Sequence, residues 1–175
     1  MGRLLLPNDN IHRIKYFTAL VEARANDPDK PLRQKSYLRA LQTIPNLEII
    51  YGSFLSHEVM MPLAPPANGY VKVIKTEEKG SDVNLATHLL VDAFRNDFEL
   101  AVIVSNDSDL LEPIKVVTRQ FHKPVGMLNP QKNPSVALIP HVLFVKNIRR
   151  GVLQNSLFPP MLTDALGSFS KPTEW

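Results

Sequence analysis

Three aspartates stand at spacings that could hold a divalent cation. Asp107 and Asp109 alternate with small polar residues in Ser105-Asn106-Asp107-Ser108-Asp109, and Asp82 follows Gly80-Ser81. Neighbouring carboxylates repel, which raises their pKa values and makes an empty cluster unfavourable. A hard cation such as Mg2+ or Mn2+ relieves that repulsion and keeps part of its water shell, so a few oxygen ligands suffice. It can then orient a water for attack on phosphorus and offset the charge of the transition state. No covalent nucleophile is needed, in keeping with a chain that has no cysteine. Each aspartate also has a plainer use. Asp82 can complement a helix dipole with Ser81 as N-cap, and short polar residues are common in strand-to-helix turns.

The elements around these residues would have to position them. On a helix opened by Gly80 and Ser81 and ending near Asn96, Ala86, Leu89 and Ala93 share one stripe, flanked by Leu85, Leu90, Val83 and Phe94. Asp82 falls in the middle of that stripe, where a carboxylate facing a core is costly unless compensated. Residues 99–104 form a nearly continuous apolar run bounded by turn residues, the pattern of a parallel strand buried on both faces. Residues 105–109 then read as the loop into a helix over residues 113–121, with Pro113 at the first helical position, where its missing N–H costs nothing.

Upstream, residues 11–21 read as a strand, 31–44 as an amphipathic helix and 47–55 as a second strand. Residues 60–69 are Pro-rich and predict a surface loop, and 70–74 a short edge strand. Downstream, residues 124–128 are a short strand. The tail from Phe158, with Pro159, Pro160 and Pro172, reads as an extended arm in which Trp175 packs on the surface. Strands alternating with helices predict an α/β fold with a mostly parallel sheet and helices on both faces. In such sheets a site lies at the carboxyl ends of the strands, where residues 105–109 stand.

At 175 residues, 44% hydrophobic and 21% charged, the chain fits one domain with its own core, residues 1–150, followed by the Pro-containing arm 151–175. A net charge of +3 and a pI near 9.2 suit a polyanionic partner but fall short of a dense basic stripe. The absence of cysteine excludes disulfides, zinc-thiolate sites and a cysteine nucleophile, and suits a reducing cytoplasm. The first apolar run is too short for a signal peptide. The uncharged run of residues 134–145 is too short to span a bilayer. The sequence therefore reads as soluble and cytoplasmic, with no membrane partner.

The segment Lys79-Gly80-Ser81-Asp82-Val83-Asn84-Leu85-Ala86, followed by Ser105-Asn106-Asp107-Ser108-Asp109-Leu110 and Pro113-Ile114, resembles the two later motifs of NYN domains. These belong to the PIN-like (LabA-like) superfamily of metal-dependent ribonucleases, and the resemblance runs over residues 11–145. It implies a three-layer α/β/α fold, RNA as partner, and Mg2+ or Mn2+ held by Asp82, Asp107 and Asp109. Asn106 and Ser108 would orient the phosphate, and Lys79, beside the motif glycine, would contact it. The family opens with a strand that ends in an Asp-rich motif and supplies the first metal-binding Asp. Nothing before Ile11 resembles that strand, and Asp9 reads as part of a helix-to-strand turn. The resemblance thus implies a domain whose first, central strand is missing, leaving two strands without their shared neighbour and the pocket one acid short.

Lys75, Lys115, Arg119 and Lys123 are further phosphate candidates that individually read as solvated surface. Glu77 and Glu78 could add ligands but read first as exposed, and Glu112 as lining the pocket edge. His12, His57, His88, His122 and His141 show no ligand spacing and receive no role; His88 falls on the polar face of its helix. Two other readings stay open. One is an RNA- or protein-binding module with an impaired site; the other is a phosphatase or nucleotide-processing enzyme. A homo-oligomer is compatible with all three.

Overall fold

The computed structural model describes residues 1–24 and 26–173, so the expected contact of Trp175 lies outside the described residues. The architecture is mixed α/β, with parallel and antiparallel sheets. A four-residue helix α1 (Gly2–Leu5) leads into β1 (Ile14–Thr18), helix α2 (Lys30–Gln42) and β2 (Leu47–Tyr51). β1 and β2 pair in parallel with Ile14 opposite Leu47. α2 begins after Asp29 with proline in its first turn, where no N–H is needed. It buries Leu38, Ala40 and Leu41.

After Gly52 the chain enters a long antiparallel hairpin, β3 (Ser53–Pro62) with β4 (Tyr70–Lys79). The expected single strand 47–55 is thus split at Gly52, and the expected Pro-rich loop 60–69 is shortened to a turn. The edge strand expected over residues 70–74 runs on to Lys79. Most hairpin positions are exposed on both faces, so the segment lacks the alternation by which a half-buried strand is recognised.

Helix α3 (Ser81–Phe94) is followed by β5 (Ala101–Val104), a short 3-10 turn (Ser108–Leu110), helix α4 (Leu111–Arg119), β6 (Val125–Asn129) and β7 (Phe144–Asn147). These strands form a parallel sheet in the order β5-β6-β7. Pro113 is the third residue of α4 rather than the first, still within the turn where its missing N–H is harmless. A short helix α5 (Arg150–Gln154) precedes the hairpin β8 (Met161–Asp164) with β9 (Gly167–Ser170). The tail is therefore a folded hairpin, tied to α2 by Arg39, which donates to both carboxylate oxygens of Asp164 at 2.6 and 2.7 Å.

The core lies around β6. Leu110, Ile114, Val117, Val125 and Met127 are at most 1% exposed. All five residues of β6 are buried, since β5 and β7 flank it. β5, expected to be buried on both faces, is not: Ala101 and Val102 are half-buried and Val104 is 48% exposed. The reason is topological. Among the described residues β1 pairs only with β2, and β5 only with β6. Residues of both β1 and β5 line one cleft of about 1630 Å³. The mostly parallel sheet expected from the sequence is thus two parallel sheets with an opening between them.

Candidate functional site

The two motif segments meet at the carboxyl ends of the strands. Gly80 closes β4 and stands as the N-cap of α3 at φ 92°, a left-handed conformation that glycine adopts without steric cost. Ser81, expected as the cap, is instead the first helical residue, and its hydroxyl donates to the Glu78 carboxylate. A Cβ on Gly52 would lie 2.5 Å from the Lys79 carbonyl oxygen, so the β2–β3 junction passes directly against the start of α3. The Asn84 amide donates to the Tyr51 carbonyl at 3.3 Å, and the Gly52 N–H donates to the Thr18 carbonyl at 2.8 Å. Together these contacts set the first turn of α3 beside the carboxyl ends of β1 and β2.

The loop after β5 is held equally locally. Asp107 caps the 3-10 turn: one of its carboxylate oxygens accepts from the Asp109 N–H at 3.0 Å. The Ser105 hydroxyl oxygen accepts from the Asp107 N–H at 3.1 Å. Asn106 clamps the neighbouring loop. Its amide donates to Gln131 at 2.7 Å and to the Asn133 carbonyl at 3.0 Å, while its oxygen accepts from the Ser135 N–H at 2.6 Å. Beneath that loop Asn129, fully buried, donates to the Gln131 carbonyl and to Asn147 and accepts from the Gln131 N–H. A buried amide so satisfied is a rigid footing. Ser108 is exposed at the start of the turn.

The acids share one electrostatic neighbourhood. The Asp82 carboxyl is raised from its ordinary value, first by burial and then by the negative charges of Asp107, Glu78 and Asp109. Asp82 does not face the core as its place on the helical wheel suggests; it is exposed at the mouth of the site. The apolar stripe of α3 is narrower than expected, with Val83 67% and Phe94 77% exposed. Glu78, read first from sequence as exposed, joins the acids because the β3–β4 hairpin delivers its end to α3.

The cations are less available than expected. Lys79 pairs with Glu77 at 3.2 Å and Lys75 with the same carboxylate at 2.7 Å, and these two lysines lower the Glu77 pKa, Lys75 first. Lys115 pairs with Glu112 at 2.6 Å. Arg119 reaches His141 at 3.5 Å, and Lys123 lines the cleft between the two sheets. His88, given no role by sequence, packs on Phe17 with ring centroids 5.7 Å apart and lies 3.1 Å from the Lys15 ammonium. That ammonium also reaches Asp92 at 2.6 Å.

The donor set at the acid pocket is made of hard oxygens, the ligands Mg2+ and Mn2+ prefer. Among the described residues, however, no three His, Asp or Glu side chains converge closely enough to form a ready-made metal cluster. Asp82, Asp107 and Asp109, with Glu78 at the rim, are neighbours without being a closed cage. Among the described residues no helix is long and apolar enough to cross a membrane.

No family model matches the chain. Over 128 residues it is 30% identical to 6-hydroxy-3-succinoylpyridine 3-monooxygenase HspA of Pseudomonas putida (strain DSM 28022 / S16). That match takes in 67% of this chain and 41% of the relative, so the chain spans about two fifths of the relative's length. Among solved structures it is similar to a protein of unknown function from Vibrio parahaemolyticus RIMD 2210633, with a TM-score of 0.51 at 19% identity. The likeness covers 79% of this chain and 69% of the other, and at that identity it speaks to fold alone.

Proposed function

We propose that this chain is an NYN domain of the PIN-like kind, a three-layer α/β/α unit acting as a metal-dependent ribonuclease. One observation supports this most: Asp82, from the start of α3, and Asp107 and Asp109, after β5, are brought close enough for their charges to raise the Asp82 carboxyl. Two sequence-distant motifs have no need to gather like charges for stability alone, since such repulsion opposes folding. Asp82, Asp107 and Asp109 would hold Mg2+ or Mn2+. The bound ion would supply positive charge to the scissile phosphodiester and acidify a bound water. The capping bond fixes the Asp107 carboxylate, the Asn106 clamp fixes the loop that carries it, and the exposed Ser108 hydroxyl would orient an RNA phosphate.

Cleavage of a fluorescent single-stranded RNA by the 175-residue chain in Mg2+ or Mn2+ tests this. Asp107→Asn keeps the helix-capping ability of the position but removes its charge. It is expected to reduce cleavage by about 100-fold or more. Undiminished cleavage by that variant would overturn the assignment.

The open geometry of the acids favours a second reading, an RNA-binding or protein-binding module with an impaired site. RNA affinity with no metal-dependent cleavage would select it. The name of the Pseudomonas relative raises a role in pyridine hydroxylation. The shared segment is 41% of that protein, so the likeness does not locate the relative's activity in the part held in common.

A further inference from the structure

We infer that residues 130–135, the loop after β6, form an RNA-binding wall beside the acids, with Lys132 as the cation that meets a backbone phosphate. The identity of the ligand rests on the ribonuclease reading; the placement of the loop rests on hydrogen bonds alone.

Asn129, at the end of β6, is the one buried polar side chain among the described residues and is 0% exposed. Burying an amide is costly unless its groups find partners. Here the partners hold the loop. The Asn129 oxygen accepts from the Gln131 N–H at 3.0 Å, and its amide donates to the Gln131 carbonyl at 2.8 Å and to Asn147 of β7 at 2.9 Å. An apolar side chain would fill a strand core without that cost, so what the amide adds is a fixed course for the residues after it.

A second set of bonds reaches the same loop from the side of the acids. Asn106, directly ahead of Asp107, binds the Gln131 side chain, the Asn133 carbonyl and the Ser135 N–H. Every second residue from 131 to 135 is thereby tied down. Lys132 stands between two tied neighbours, far from Asp107 in sequence but on the segment that touches its loop. Pro130 and Pro134 hold φ at about −65° on either side, so the backbone has little freedom left to lose on binding.

Charge then singles out Lys132. Asp82, Asp107, Asp109 and Glu78 together repel a polyanion. Lys75 and Lys79 are paired with Glu77, and Lys115 with Glu112. Lys132 is exposed and, among the described residues, has no carboxylate partner. A free ammonium is a compact point charge suited to a phosphate. On this loop it would hold the RNA strand against the field of the acids.

The test is binding of a fluorescein-labelled oligouridylate to the 175-residue chain, read by anisotropy at several salt concentrations in EDTA, where no metal-dependent cleavage competes. Lys132→Ala is expected to weaken binding by about five- to tenfold and to reduce the slope of log affinity against log salt by about 0.7, one single-strand phosphate contact. Lys132→Arg keeps the charge and is expected to keep most of the affinity. Lys35→Ala makes the same charge change at an exposed position of α2 and is expected to alter affinity by less than about twofold. Equal binding by Lys132→Ala and the unmodified chain overturns the inference, as does an equal loss in Lys35→Ala or no binding by the unmodified chain. A parallel cleavage assay in Mg2+ keeps the two claims apart. The expected binding pattern without cleavage supports the wall and counts against the ribonuclease reading.

Discussion

The two parallel sheets are made of similar strands and differ in what surrounds them. β6 has a strand on each side and helix α4 against it, and all five of its residues are buried. Among the described residues β1 and β5 each have one strand neighbour, and no residue of β1 is buried. Apolar sequence alone does not bury a strand; its neighbours do. The half of the molecule around β6 is consequently a dense core, whereas the half around β1 borders the cleft.

The largest effect should come from the dense half. Met127→Ala removes a side chain that is 1% exposed and is expected to cost about 2–4 kcal/mol in urea unfolding. Phe17→Ala, in half-buried β1, should cost about half of that, because water already reaches the site. Equal losses would break the contrast between the sheets.

A link between the halves should matter next. The Lys15 side chain is 13% exposed, and Asp92 of α3 neutralises it. Asp92→Ala leaves that ammonium without its carboxylate and should destabilise by roughly 1–3 kcal/mol. Replacing both residues together, Lys15→Met with Asp92→Leu, should recover most of the loss in thermal unfolding. If the double variant is as unstable as Asp92→Ala, packing rather than charge explains the contact.

The smallest effect belongs to the tail. Asp164 is held at a pKa of about 2, chiefly by its hydrogen bond from Arg39. Its ordinary value is near 3.9. A carboxylate depressed on folding contributes stability fully above the unfolded value and loses it as pH falls through the folded one. The hairpin β8–β9 should therefore exchange its amides faster as pH drops from about 4 to 2, after correction for intrinsic rates. Arg39→Ala should weaken that pH dependence, leaving the part due to the Leu166 N–H.

Much of this was legible in the residues. The helix α3, the apolar run that became β5 and the acids after it followed from periodicity and from polar residues breaking it. What escaped depends on partners far along the chain. Glu78 reaches the acids only through the register of a hairpin that pairs it with Phe54. The loop partners of Asn106 lie 25–29 residues away along the chain. Lys15 and Asp92 are 77 residues apart, and no local pattern joins them. The exposure of Val104 likewise reflects which strands pair with β5, to which the strand's own sequence is blind.

The claim that the aspartates form a divalent-cation site is tested most directly by calorimetric titration of Mn2+ into the 175-residue chain and its Asp82→Asn variant. The account predicts one site on the unmodified chain, weakened at least about tenfold by the substitution. It also predicts that the metal-free variant is no less stable, because a charge repelled by Asp107, Glu78 and Asp109 has been removed. Equal Mn2+ affinity in the two proteins, or no binding to either, would contradict it.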